Sequence, residues 1–373
     1  MLGVAVLFPW NALITANNFW DATFGSDTDF EFYLSAVFNW PQWVTLLLVT
    51  RFGPMFSFDS RIIVTLLIYS CVLIFIPGVC SIDMNSTTFQ QVLTLCAAFV
   101  AGMSASIQFG TILGLVSVFP PMYVTAAMSG MGIGGVIIGL LAMLTQWLFG
   151  DSEPTLQAWV YFSSAVVIVL ITLVMFIVMM RTKFSKYYVN KYYEEDRLQK
   201  INEPVEGRSW RWYLGIFKKI WVDALSVFFV FFVSLSLFPG LMLAVVPTYV
   251  SVEWYNLIIP LEFNFFDMIG RSLPYVFVIP PKFVWPPTLA RIIFYPLIIF
   301  CVSPVLFPSP ELWMYGFNAI FAISNGFLGT LAMMYAPGKV LPEEQQTAGI
   351  MMSFFLNFGI FCATNFAVLL SFL

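Results

Sequence analysis

Histidine is missing from this chain, and charge is scarce: Asp, Glu, Lys and Arg make up only 10% of its 373 residues. Without imidazole there can be no His-based catalytic triad, no His metal ligand and no His proton relay. Cysteine is sparse too. Cys71, Cys80, Cys96, Cys301 and Cys362 are scattered through apolar runs with no C-x-x-C pair. That spacing gives no disulfide framework and reads as buried thiols acting as small hydrophobes. Polar stretches of any length are also lacking, with one exception at 181–219. Neither the net charge of −4 nor the composition offers a surface for nucleic acid. No cofactor or metal site is expected.

In place of these are apolar side chains: 60% of the residues are hydrophobic and 41 are Phe, giving a mean hydropathy of +0.89. A soluble domain has about 25% charged residues, so most of this chain is expected to sit in lipid. A membrane helix needs about 20 mostly apolar residues. Eleven candidates meet this, at 2–20, 32–50, 61–82, 88–117, 121–149, 155–181, 215–249, 254–280, 284–306, 311–336 and 345–372. The first is the weakest, but no A-x-A-like site follows it and Trp10 and Asn11 interrupt it, which argues against a cleaved signal peptide.

The connections alternate in charge. Those after the odd-numbered spans hold Asp21, Asp27, Asp29, Glu31, Asp83, Asp151, Glu153, Glu253 and Glu311, with no Lys or Arg. Those on the other side hold Arg51, Arg61, Lys282, Arg291 and Lys339, plus ten basic residues in 181–219. Fifteen of the sixteen basic residues are thus assigned to one side, the exception being Arg271. The positive-inside rule then places the N-terminus and the 182–214 loop in the cytoplasm and the C-terminus outside. The one N-x-[ST] sequon, at Asn85, falls on the outer side as a glycosylation candidate. The division expected is a six-helix bundle over 1–181, a basic loop over 182–214 read as a solvated linker, and a five-helix bundle over 215–373. Anionic-lipid binding through that loop is a minority reading.

Charges inside a span usually face a protein interior or a water-filled path. The stretch "FNFFDMIGRSLP" at 263–274 carries Asp267 and Arg271, spaced i, i+4 on one helix face with Asn264. Glu262 precedes Asp267 by five residues, about 140° round the helix, and is expected to face elsewhere. The pair is either a buried lock between helices or a polar stripe facing a substrate; the second is preferred. Amides and hydroxyls recur in other spans, including Asn11, Gln108, Ser324 and Asn325, and suit an uncharged polar ring system better than an ion. Taken singly, each reads as interhelical hydrogen bonding. "GMGIGG" at 130–135 matches a dinucleotide fingerprint, but it lies in a span with no preceding strand. Gly132, Gly135 and Gly139 are read instead as a close-packing face. Pro41, Pro239, Gly240, Pro247, Pro260 and Pro274 break expected spans, as breakers lining a cavity do.

Several motifs together resemble the equilibrative nucleoside transporter family over nearly the whole chain. They are "LFPWNALITANNFW" (7–20), "SGMGIGG" (129–135), "SLSLFPG" (234–240), "FNFFDMIGRSLP" (263–274) and "ISNGFLGTLAMMYAPGKVLPEEQQTAG" (323–349). The resemblance implies an all-α polytopic protein of eleven helices in a major-facilitator-like 6+5 two-bundle fold. It implies alternating-access transport of nucleosides, with nucleobases as a further candidate substrate. By the same resemblance Asp267 and Arg271 contact ribose hydroxyls or hold the site, and Trp10 and Asn11 line the cavity and its outer gate. Phe238, Pro239, Asn264, Asn325, Gly132 and Gly135 are expected in gating or helix packing. Met131 departs from the pattern, because many relatives carry Gln there to bond the base, and Gln108 is the candidate to compensate. The chain also lacks the N-terminal tail usual in that family.

The expected function is therefore facilitated diffusion of nucleosides by a monomeric, multi-pass carrier in the plasma membrane. Its expected partners are nucleoside or nucleobase and lipid, not nucleic acid. Proton symport through Glu262 or Asp267 is the rival within transport. A membrane-embedded enzyme or receptor is more distant: no reactive cluster is evident, and an Asp held by Arg is a poor general base.

Overall fold

A bilayer offers no water to backbone amides, so a spanning chain must satisfy them internally. The computed structural model describes residues 1–25, 30–82, 86–149, 154–202, 210–303, 307 and 309–370, and among them every regular element is helical. The helices are α1 (Leu2–Thr15), α2 (Asn17–Phe24), α3 (Phe30–Phe52), α4 (Phe58–Cys80), α5 (Thr87–Ser117), α6 (Met122–Phe149), α7 (Pro154–Arg181) and α8 (Lys183–Asn202). They continue with α9 (Trp210–Leu237), α10 (Gly240–Leu243), α11 (Val252–Ser272), α12 (Trp285–Ala290), α13 (Phe294–Val302), α14 (Pro310–Tyr335) and α15 (Gln345–Leu370). Eight helical segments among the described residues are long and apolar enough to cross a bilayer, starting at Phe58, Thr87, Met122, Pro154, Trp210, Pro281, Pro310 and Pro342. Leu2–Ile14 is a shorter apolar helix. The 23-residue α3 and the 21-residue α11 have spanning length but fall outside that set; α11 carries Glu253, Glu262, Asp267 and Arg271.

Local chemistry sets several ends. Ser57 and Ser86 cap α4 and α5, accepting from the backbone N–H of Ser60 (3.2 Å) and Phe89 (3.3 Å). Gly25 stops α2 at φ 87°, a conformation that costs a residue with Cβ.

Four expectations change. The seventh span begins earlier and ends earlier than 215–249: α9 stops at Leu237, Pro239 precedes the one-turn α10, and the chain is irregular up to Ser251. Proline lacks the N–H that would continue the ladder. The ninth span is broken by a 3₁₀ turn at Arg291–Ile293 between α12 and α13. Arg291 itself is not in a connection but buried, at 2% exposure. Most of the expected linker is the 20-residue α8, which lies against the molecule through Ser185, Val189 and Tyr192. The stripe i, i+4, i+7 is what an amphipathic helix buries, and Ser185, Val189 and Tyr192 supply it. The sequon at Asn85 lies outside the described residues.

The site is positioned by two close helix contacts. Gly270 of α11 and Gly326 of α14 let the two backbones touch. A Cβ on Gly270 would sit 2.2 Å from Ile323 O, and one on Gly326 would sit 2.1 Å from Asp267 O. On its other side α11 meets α6, where a Cβ would fall 2.7 Å from Met268 Cα at Gly132, 2.6 Å from Asn264 Oδ1 at Gly135 and 2.9 Å from Leu261 Cδ1 at Gly139. Small residues give such helices their van der Waals contact where no hydrophobic driving force separates lipid from protein.

Candidate functional site

α11 enters the centre of the molecule between α6 and α14, and its polar stripe is buried there. Asp267 and Arg271 are 3% and 5% exposed. Arg271 Nε donates to Asp267 Oδ2 at 2.5 Å. The other oxygen, Asp267 Oδ1, accepts from Asn325 Nδ2 at 2.7 Å. Asn325 Oδ1 in turn accepts from Ser234 Oγ of α9 at 2.6 Å. A buried carboxylate with both oxygens bonded meets the requirement that desolvated charge be paired. Arg271 Nη1 faces two thioethers, Met131 Sδ at 3.9 Å and Met128 Sδ at 4.0 Å, and its guanidinium lies 5.9 Å from the centroid of Phe231. Thioether sulfur is a weak acceptor, so the far end of the guanidinium retains donors for a ligand.

The structure thus brings Met131, Asp267, Arg271 and Asn325 together. Asn264, on the same stripe, lies against Gly135, at the α6–α11 contact with Gly132. Phe238 stacks on Phe263, ring centroids 4.1 Å apart, while Pro239 beside it is exposed. Trp10 stacks on Phe38 at 4.2 Å, half-buried like Asn11 one residue on. Gln108 is buried in α5 and both of its amide atoms lack a hydrogen-bond partner. It makes no bond to the Asp267 cluster; an orphaned buried amide is costly unless something else fills its bonds.

Glu262 does not face elsewhere. Asn318 Nδ2 donates to Glu262 Oε2 at 2.8 Å, so Glu262 and Asp267 both meet α14, at Asn318 and Asn325. The 140° offset holds for Cβ positions, but the longer Glu side chain swings back to the neighbour. In the eleventh span, Ser353, Asn357, Thr364 and Asn365 bond carbonyls three or four residues back in their own helix, not a neighbouring one.

Sequence reasoning missed Ser234, Met128 and Arg291. Arg291 donates to Phe321 O (2.9 Å), Ser234 Oγ (2.6 Å) and Ser324 Oγ. Its signal was present: it lies inside the ninth apolar run, yet the charge rule placed it with the loops. Ser129 was missed too; its Oγ donates to Arg271 O at 3.1 Å, tying α6 to the end of α11.

A helical bundle with a buried charged cluster at its centre, reached by broken helices, has the architecture of a secondary carrier. Solved major facilitator structures share this fold. A proton:xylose symporter aligns with TM-score 0.67 at 11% identity, covering 99% of this chain and 87% of that one. The E. coli fucose:proton symporter aligns with TM-score 0.62 at 13% identity, covering 99% and 91%. The chain belongs to the nucleoside transporter family, whose model matches residues 94–372. It is 28% identical to human equilibrative nucleoside transporter 2, over 99% of this chain and 95% of that protein. It is 29% identical to mouse equilibrative nucleoside transporter 1 (96% and 93%) and 27% identical to Arabidopsis thaliana equilibrative nucleotide transporter 1 (96% and 82%).

Proposed function

We propose that this chain carries nucleosides down their gradient by alternating access, with the Asp267–Arg271 pair at the substrate site. It is a multi-pass membrane carrier of the nucleoside transporter family, not an enzyme. The observation that supports the site is the pairing itself: Asp267 is held on both oxygens while Arg271 Nη1 faces only weak thioether acceptors. A ribose offers the vicinal hydroxyls such donors would bond. Gln108, with its unpartnered amide, is the group we assign to the base in place of the amide that Met131 lacks. Trp10 and Asn11 line the path, and Phe238 and Pro239 gate it. The first six spans and the last five move as two bundles. The N-terminus and α8 lie in the cytoplasm, the C-terminus lies outside, and the plasma membrane is the site of action. The carrier works as a monomer.

Glu262 supports a second reading. It is half-buried within a helix of the carrier, and the donor it meets is the neutral amide of Asn318. A carboxylate placed so could take up a proton and couple transport to it. Counterflow in proteoliposomes separates the two. Vesicles are loaded with unlabelled adenosine, and labelled adenosine, uridine, inosine or hypoxanthine is added outside without an ion gradient. Transient accumulation of label is expected, and its ranking gives the base preference. Accumulation only when a pH gradient is imposed, and its loss in Glu262→Gln, would favour symport. No accumulation of any of the four would overturn the nucleoside reading.

A further inference from the structure

Arg291 is fully buried at the break between α12 and α13, and nothing in the site described so far gives it a task. Its guanidinium lies 4.5 Å from the centroid of Phe321. Nη1 donates to Phe321 O and Ser324 Oγ, Nη2 donates to Ser234 Oγ, and Nε has no partner. Among the described residues no carboxylate forms an ion pair with it. An apolar side chain would fill the same space without losing the hydration of a cation. A charge kept within a span under those terms is a functional candidate.

The bonds leading away from Arg291 have one direction. A guanidinium can only donate. Because Nη2 donates to the Ser234 oxygen, the Ser234 hydroxyl hydrogen points away from Arg291; of the two acceptors then in reach, Asn325 Oδ1 at 2.6 Å is nearer than Val230 O at 2.8 Å. With its carbonyl so occupied, Asn325 turns its NH₂ to Asp267 Oδ1 at 2.7 Å. That bond holds Oδ1 toward Asn325, and with the carboxylate so turned Arg271 reaches only Oδ2, through Nε. A carboxylate free of Asn325 could instead accept two parallel bonds from the guanidinium, the arrangement such pairs favour. The outer nitrogens of Arg271 would then be consumed.

We propose that Arg291 is a positioning residue for the substrate site: acting through Ser234 and Asn325, it keeps Asp267 from closing a two-pronged pair with Arg271 and leaves the outer Arg271 nitrogens free for a hydroxyl-bearing substrate. The proposal rests on the carrier reading for the identity of that substrate. Without Arg291 the Ser234 hydroxyl has another acceptor at hand, Val230 O at 2.8 Å. Asn325 is then free to turn, and Asp267 moves onto Arg271.

The test compares Arg291→Gln, Ser234→Ala, the double variant and Arg291→Lys in proteoliposomes. Adenosine uptake is normalised to folded carrier. Each single variant is expected to raise the half-saturation concentration about tenfold, the worth of one charged hydrogen bond. Maximal rate should stay within about twofold, since the moving parts are unchanged. The double variant should be no worse than either single one, because both cut the same chain of bonds. Arg291→Lys, which keeps the charge and can still donate to Ser234 but loses the planar fork, should recover part of the loss. Unchanged half-saturation with a lower folded yield would reduce Arg291 to a brace, and effects that multiply in the double variant would also overturn the proposal. If Arg291→Gln does not fold, Ser234→Ala decides by the same criterion. A second readout needs no substrate. The Asp267 carboxylate stretch, found by infrared difference against Asp267→Asn, should shift in both single variants as its bonding changes; an unmoved band overturns the proposal. Failure of the parent protein to take up adenosine would retire the nucleoside reading and leave the infrared result to judge Arg291.

Discussion

At the residue scale, each member of the central cluster answers to hydrogen-bond inventory more than to charge. Asp267 needs acceptors' partners on both oxygens, and Asn325 and Arg271 supply them. Arg271 has five donors and spends one on Asp267, so its remaining ones define what the site can hold. Arg271→Ala should abolish uptake, since a buried carboxylate left without its cation costs about 3–5 kcal/mol and the ligand's donor is gone. Arg271→Lys should fold and reach the membrane yet transport weakly, because an ammonium keeps the charge and loses the fork. Initial-rate uptake alongside surface labelling of each variant checks both outcomes; normal transport by Arg271→Ala would make the stripe a purely structural lock.

At the scale of elements, glycine decides where helices meet. The run "GMGIGG" matches a dinucleotide fingerprint in sequence, but Gly132, Gly135 and Gly139 bring α6 against Met268, Asn264 and Leu261 of α11, while Gly270 and Gly326 bring α14 to its other side. Helices at this separation hold Asp267 within reach of Asn325 and Arg271 within reach of Met131. Gly132→Ala would place a methyl 2.7 Å from Met268 Cα, with no flexible side chain to yield. We expect it to destabilise the carrier by about 1–3 kcal/mol, the usual cost of overpacking. Gly240→Ala, where nothing lies within 4 Å of the added atom, should be close to neutral. Thermal unfolding of the two purified variants compares them directly.

On the scale of the whole molecule, early and late helices meet closely at the end carrying α8. Gly349 of α15 sits so close to α5 that a Cβ would meet Ser117 Oγ at 2.3 Å and Leu113 O at 2.7 Å. Over this contact Tyr192 of α8 donates to Gln346 Oε1 at 2.5 Å, and Lys219 pairs with Glu344 at 2.7 Å just ahead of α15. α8 therefore spans the joint between the early helices and the late ones. Tyr192→Phe removes one hydroxyl and leaves a buried amide oxygen short of its donor, a loss of about 1 kcal/mol from this contact. In a cysteine-free background bearing Ser117→Cys, that change should raise labelling of the new thiol from the α8 side several-fold, in line with that energy. Equal labelling with and without the Tyr192 hydroxyl would show that α8 does not latch this end.

By itself the sequence determined the class of protein. Apolar runs of bilayer length, acidic and basic residues biased to opposite connections, and a polar stripe at Asp267 and Arg271 are one-dimensional facts, and the first of these is imposed by the solvent on any helix that crosses lipid. It also carried the i, i+4 ion pair, because helical spacing alone brings those two together. What it could not carry depends on which helix stands next to which. Arg291 is a loop cation in one dimension and the start of the Asp267 bond chain in three, since Ser234, Phe321 and Asn325 come from 57, 30 and 34 residues away. Glu262 turned to α14, and the expected linker folded into α8, for the same reason: each side chain took the partner that packing placed in reach. Periodicity sets which face a helix presents, and only tertiary contact decides what meets that face.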